Sequence, residues 1–227
     1  MPTILLGVTK FQDEIFPEKK ALFEKLATGQ SPEVLFITCS DSRIDPSLMT
    51  QTTPGELFIC RNAGNIVPPH TNSTGGMTAS IEFATGALNV PHIVVCGHAD
   101  CGAMKGAMNL EALKSLPHTR EWLSYSQAAV RIVEEKGVNW TPEEKMEALI
   151  KENVLLQLQH LKTHPLVAAR LATGRVTLHG WVYDIKTGSI EAYDEDKKTF
   201  VSVKERYAER IAHHLASHHD HDHGMPS

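Results

Sequence analysis

Short apolar runs recur along the chain at wide intervals, separated by amphipathic stretches. Residues 33–39 (EVLFITC), 57–61 (LFICR), 92–97 (HIVVCG) and 175–183 (RVTLHGWVY) are rich in β-branched and aromatic side chains. Each is long enough for a strand and too short for a core helix, so each predicts a buried strand. Residues 189–193, after the Lys186-Thr-Gly turn, predict an edge strand. Between the second and third runs, Met77, Ile81, Phe83 and Ala84 are spaced for a helix within 73–88. Helices are also predicted at 142–161 and 165–172, each opened by a proline. Near-continuous apolar strands alternating with helices predict an α/β fold, with a central mostly parallel sheet of four to five strands flanked by helices.

The first thirty residues have a different pattern. Leu5, Val8, Phe11 and Ile15 fall on one helical face, Pro17 opens a second helix over 18–26, and Gly29 ends it. Helices standing before the core are expected to pack on the domain or on a neighbouring subunit. The chain thus divides into a helical arm (1–30), an α/β domain (31–216) and a histidine-rich tail (217–227). No internal repeat is visible.

Composition changes this picture little. The chain has 227 residues, 41% hydrophobic and 22% charged, which suits one ordinary globular domain. A net charge of −5 argues against nucleic acid as a partner. No apolar run approaches the roughly 20 residues of a membrane helix, and residues 1–20 lack a basic, then apolar leader. The expected location is therefore cytoplasmic. Four cysteines, Cys39, Cys60, Cys96 and Cys101, are then free, metal-bound or catalytic rather than disulfide-bonded. Six of the thirteen histidines lie between His213 and His223. This tail reads first as a solvated, disordered end and second as a loose metal site or proton shuttle.

The remaining cysteines and histidines carry the chemistry. In an open α/β sheet, ligands bind beyond the carboxyl ends of the strands. Cys39 ends the first predicted strand, and His98 and Cys101 follow the third. His98-Ala-Asp-Cys101 lets one loop aim two ligands at a single ion. Two thiolates and an imidazole suit zinc, and three protein ligands leave a fourth position open for catalysis. The alternative is a closed structural site recruiting Cys60 or Cys96, which sit in apolar runs and read as small buried hydrophobes. Around the first cysteine, Cys39-Ser-Asp-Ser-Arg43 crowds a thiolate, a carboxylate and a guanidinium into five residues. One reading is a turn with an exposed ion pair. The other is a carboxylate, Asp41, that orients a nucleophile or swings in as the fourth metal ligand, and an Arg43 fork that holds it away. Arg61 and Asn62 read as residues that position this loop or satisfy buried carbonyls.

These segments resemble the β-class carbonic anhydrases, in a plant-type-like branch. The resemblance rests on Cys39-Ser-Asp-Ser-Arg43, Pro54-Gly-Glu-Leu-Phe58, Arg61-Asn-Ala-Gly-Asn65, Ser80-Ile-Glu-Phe83, Gly97-His-Ala-Asp-Cys-Gly102 and His179-Gly-Trp-Val-Tyr183, spread over about residues 30–185. It implies reversible hydration of carbon dioxide to bicarbonate by attack of zinc-bound hydroxide. It implies one Zn2+ per chain on Cys39, His98 and Cys101, and an Asp41–Arg43 catalytic pair. Gln30, supplied by a neighbouring subunit, and Phe58 match the family's substrate pocket. Phe83 stands where that branch has a tyrosine, so one hydroxyl is missing. The backbone N–H of Gly102 is a candidate donor to a substrate oxygen. Another branch marks a bicarbonate-inhibition site with a tryptophan three residues before the first ligand; Phe36 stands there, so that regulation is not expected. The resemblance also implies a homodimer or larger even-numbered oligomer, and family members occur in carboxysomes. Two rival functions stay open: hydrolysis of carbon disulfide or carbonyl sulfide on the same scaffold, and a non-catalytic zinc module.

Overall fold

The computed structural model of the chain describes the backbone of residues 1–222 and the side chains of residues 1–216. The elements run α1 (Pro2–Lys10), a π-turn (Phe11–Ile15), α2 (Phe16–Glu18), α3 (Lys20–Leu26), β1 (Val34–Cys39), α4 (Pro46–Thr50), β2 (Leu57–Asn62), α5 (Gly76–Gly86) and β3 (His92–His98). They continue with α6 (Gly102–Met108), α7 (Pro117–Leu123), α8 (Gln127–Lys136), α9 (Pro142–Thr163), α10 (Pro165–Ala172), β4 (Thr177–Tyr183), β5 (Ile190–Asp194), β6 (Thr199–Ser202), α11 (Val203–Arg206) and α12 (Ala208–Asp222). No helix among the described residues is long and apolar enough to cross a membrane.

The six strands among the described residues form one sheet in the order β2-β1-β3-β4-β5-β6. The first four are parallel, and β5 and β6 add antiparallel at one end. The sheet therefore exceeds the expected four to five strands by β6. That strand is only four residues long, half-exposed, and follows a charged turn, so it lacks the apolar run that marks the others. In β1 and β3 every residue after the first is buried, as parallel strands covered on both faces require. Leu35, Ile37, Ile93 and Val95 face the main core, which includes Val154 and Leu158 of α9. Phe36, Val94 and Cys96 point the other way, toward Trp181, Tyr183 and Met49. Helix α9 starts with a capping box, Thr141 accepting the Glu144 N–H while the Glu144 carboxylate accepts the Thr141 N–H. It lies close to the sheet because Gly97 and Gly180 have no side chain: a Cβ at either would come 2.9 Å from a Val154 methyl.

The helical arm is more broken than expected. A continuous helix over 18–26 gives way to two helices with a bend at Lys19, whose backbone is not helical. Phe11, Phe16 and Phe23 gather across the bend, with ring centroids 5.2–6.0 Å apart. Ile4, Leu5, Leu6 and Val8 stay exposed. At the other end, α12 takes in the first residues of the histidine-rich tail; its last five residues, 223–227, lie outside those described.

A candidate metal centre at the switch point of the sheet

The chain leaves β1 for β2 on one flank of the β1–β3 pair and leaves β3 for β4 on the other. Such a reversal opens a crevice beyond the carboxyl ends of the two strands. Cys39 is the last residue of β1 and His98 the last of β3; Cys101 caps the N-terminus of α6. One ligand atom from each lies within 4.8 Å of the others, and all three residues are buried. Asp100 makes this approach possible by taking a left-handed backbone (φ 56°) between His98 and Cys101.

The donors are prepared for a cation. His98 Nδ1 lies 2.8 Å from the Ala99 carbonyl, which can only accept, so Nδ1 carries the proton and Nε2 the lone pair. Nε2 is buried and has no hydrogen-bond partner in the protein. A buried orphan of this kind calls for a ligand. Cys39 and Cys101 stand side by side, and this pairing lowers the Cys39 thiol and raises that of Cys101. The Gly64 N–H also donates to Cys39 Sγ, at 3.4 Å. The set of two sulfurs and one nitrogen fits zinc. Cys60 and Cys96 are not part of the cluster. Burial raises both of their thiols, that of Cys96 to about 12.

Asp41 stands at the rim, its Oδ2 3.9 Å from His98 Nε2. Arg43 clasps it: Nε donates to Oδ1 at 2.9 Å, a terminal nitrogen to Oδ2 at 2.7 Å, and its own backbone N–H to Oδ1 at 3.0 Å. These bonds, the side-chain fork first, hold the Asp41 carboxyl well below the usual carboxylate range. Arg61 supports the loop by donating to the carbonyls of Cys39 (3.0 Å) and Asp41 (2.7 Å), which joins the two roles expected for it. Asn62 bridges both ends of Ile66 instead. Sequence reasoning missed Asp100, which accepts from Arg43 at 3.1 Å through its carboxylate and is also paired with Lys105. It is an ordinary residue inside the His-x-x-Cys spacing, and nothing local marks it as Arg43's second partner.

The other predicted residues lie nearby or apart. Phe58 and Phe83 face each other with centroids 6.0 Å apart, and Phe83 is exposed. Gly102 is the first residue of α6, and the space a Cβ would occupy there is open. Gln30 is exposed on the connection between α3 and β1. Phe36 is buried against Trp181, 6.0 Å between centroids.

A mostly parallel α/β sheet with two cysteines and a histidine converging at its switch point defines an α/β scaffold with a site fit to hold a metal ion. Comparison with known proteins names the family. The model of the carbonic anhydrase family matches residues 34–190. A carbonic anhydrase of Pseudomonas aeruginosa is 47% identical over 205 residues, covering 90% of this chain and 93% of that protein. The solved structure of the β-carbonic anhydrase CcaA superimposes with a TM-score of 0.87 at 43% identity, covering 89% of this chain and 91% of that one. A tetrameric β-carbonic anhydrase of Sordaria macrospora superimposes with a TM-score of 0.74 at 29% identity, over 84% and 94% of the two chains. The chain belongs to the carbonic anhydrases, enzymes of the β class.

Proposed function

We propose that the protein catalyses the reversible hydration of carbon dioxide to bicarbonate and a proton, using one Zn2+ held by Cys39 Sγ, His98 Nε2 and Cys101 Sγ. The observation that carries this reading is the unpartnered His98 Nε2, buried beside two sulfurs and 3.9 Å from a clasped carboxylate. A structural zinc site needs four protein ligands and no such carboxylate. When bound, the ion supplies Lewis acidity that makes hydroxide available from water near neutral pH.

The chain's own residues do the rest. Asp41, kept ionised by Arg43, accepts the hydrogen bond of the attacking hydroxyl and so fixes its orientation. Arg43 keeps Asp41 off the metal; if its fork opens, Asp41 is near enough to become a fourth ligand and block the site. The open space before Gly102 leaves its N–H free to donate to a substrate oxygen. Phe58 and Phe83 provide an apolar wall suited to an uncharged linear substrate, without the hydroxyl a tyrosine would add. Gln30 serves the site of a neighbouring subunit in a homodimer or larger even-numbered oligomer, consistent with the exposed apolar arm. Two thiolates that must stay reduced suit the cytoplasm. Carbon dioxide and bicarbonate as substrates make this a lyase of carbon utilisation.

Stopped-flow hydration by the zinc-loaded protein tests the reading, with Cys101→Ser as control. Two thiolates neutralise a divalent charge, so turnover should rise between about pH 7 and about pH 8.5. It should be lost in the control. Tight binding of one zinc per chain without turnover at either pH, with no carboxylate bound to the metal, would refute it.

A further inference from the structure

The loop 63–68, between β2 and α5, passes beside the metal centre, and side chains hold much of its backbone. Asn62 binds both polar groups of Ile66, at 2.8 and 2.7 Å. Gln157 Oε1 accepts from Val67 N–H at 2.9 Å. Asn153 Nδ2 donates to the Gly64 carbonyl at 3.1 Å, and its own Oδ1 is pinned by Ser126 (2.8 Å) and Gln157 (2.9 Å). Trp122 Nε1, on α7, donates to the Ala63 carbonyl at 2.9 Å. This last bond falls on a particular peptide. The Ala63 carbonyl and the Gly64 N–H belong to one rigid amide plane, and that N–H is the donor to Cys39 Sγ.

We propose that Trp122 is a positioning residue for the metal centre, acting through the Ala63–Gly64 peptide on the Cys39 sulfur. Because the amide is planar, a donor fixed on its carbonyl fixes where its N–H points. A hydrogen bond accepted at the carbonyl also polarises the N–H and strengthens the bond it donates. An N–H bond to a thiolate draws electron density from the sulfur and orients its lone pairs, the usual role of groups behind a metal ligand. Asn153 fixes the next amide plane, so both sides of Gly64 are held. The Trp122 ring is half-buried and packs edge-on against Tyr125 at 5.8 Å. A phenylalanine keeps that packing and loses only the donor.

The inference rests on Cys39 being a metal ligand, and its test separates the two. The full chain and Trp122→Phe are loaded with Co2+ in place of zinc. The sulfur-to-cobalt charge-transfer band should move to longer wavelength in the variant, because the sulfur becomes more electron-rich. Zinc affinity, measured against a chelator, should fall about tenfold. A purely structural role would lower the melting temperature and leave the band in place. In the unmodified protein loaded with cadmium-113, scalar coupling should connect the metal through Cys39 to the Gly64 amide proton, without recourse to any variant. An unmoved band with unchanged zinc affinity, or absent coupling, would overturn the inference while leaving the ligand reading intact. Absence of the band from the unmodified protein would overturn both.

Discussion

Gly64→Ala probes the point where loop, helix and metal ligand meet. Gly64 has a φ of +83°, and an added Cβ would stand 2.9 Å from Met104 Cε and 3.1 Å from Ala103 Cβ. A left-handed backbone costs an alanine about 1–2 kcal/mol. The methionine end can swing away, but Ala103 is fixed on α6, the helix that carries Cys101 at its cap. Forcing that contact open adds roughly 1–3 kcal/mol of overpacking. Against this, alanine restricts the unfolded chain and returns about 0.4–1 kcal/mol. The net loss is about 1–4.6 kcal/mol, which for a chain of this size lowers the melting temperature by roughly 2–18 °C. The assay is thermal unfolding at one fixed protein concentration, with zinc and with chelator. Because the displaced helix carries Cys101, the loss should be larger with zinc than with chelator. An equal shift in both conditions, or none, would refute the argument that this glycine couples the loop to the metal centre.

Other predictions address pH, metal and helix capping. Burial first, then the charges of His92, Arg210 and Arg206, push His179 down to about 4. A group kept neutral in the fold but free to charge when unfolded stabilises above its unfolded value of about 6.5, and the benefit is lost as pH falls toward 4. That contribution is roughly 3 kcal/mol, so the loss of stability between about pH 6.5 and pH 4 should be smaller in His179→Phe; an unchanged acid slope would count against it. The Asp41 carboxyl is depressed, so its clasp contributes fully above about pH 4 and fades as pH falls through the depressed value. The melting-temperature gap between wild type and Arg43→Met should therefore narrow on acidification, and a constant gap would contradict this. Chelation of bound metal should lower the melting temperature by about 5–10 °C relative to protein in metal at a hundredfold of the dissociation constant, reversibly on adding zinc. Thr141→Ala removes the cap of α9 and should cost about 1 kcal/mol in urea unfolding, with zinc affinity untouched.

Local sequence determined a good deal of this protein. The runs that became β1 and β3 were legible because strands buried on both faces must be apolar throughout; β2 and β4, only partly buried, were legible from their β-branched and aromatic residues, and β5 from the turn before it. The proline-opened helices α9 and α10 were legible because their first turns carry the start signal. Cys39, His98 and Cys101 could be singled out because ligands gather at the ends of such strands, and Arg43 because it stands two residues from its carboxylate. What the tertiary structure decided depends on pairs far apart in the chain. The edge strand β6 exists because β5 offers it a partner, since its own four residues carry too little apolar pattern. The break at Lys19 goes with three phenylalanines gathering across the bend. Arg43 meets Asp100 across 57 residues, and Asn153 reaches the Gly64 carbonyl across 89. No local pattern records such contacts, because they form only when β1 and β3 lie side by side and α9 closes over them. The chemistry of the site is thus written in short motifs, while the aim of its donors is set by the packing around the loop at Gly64.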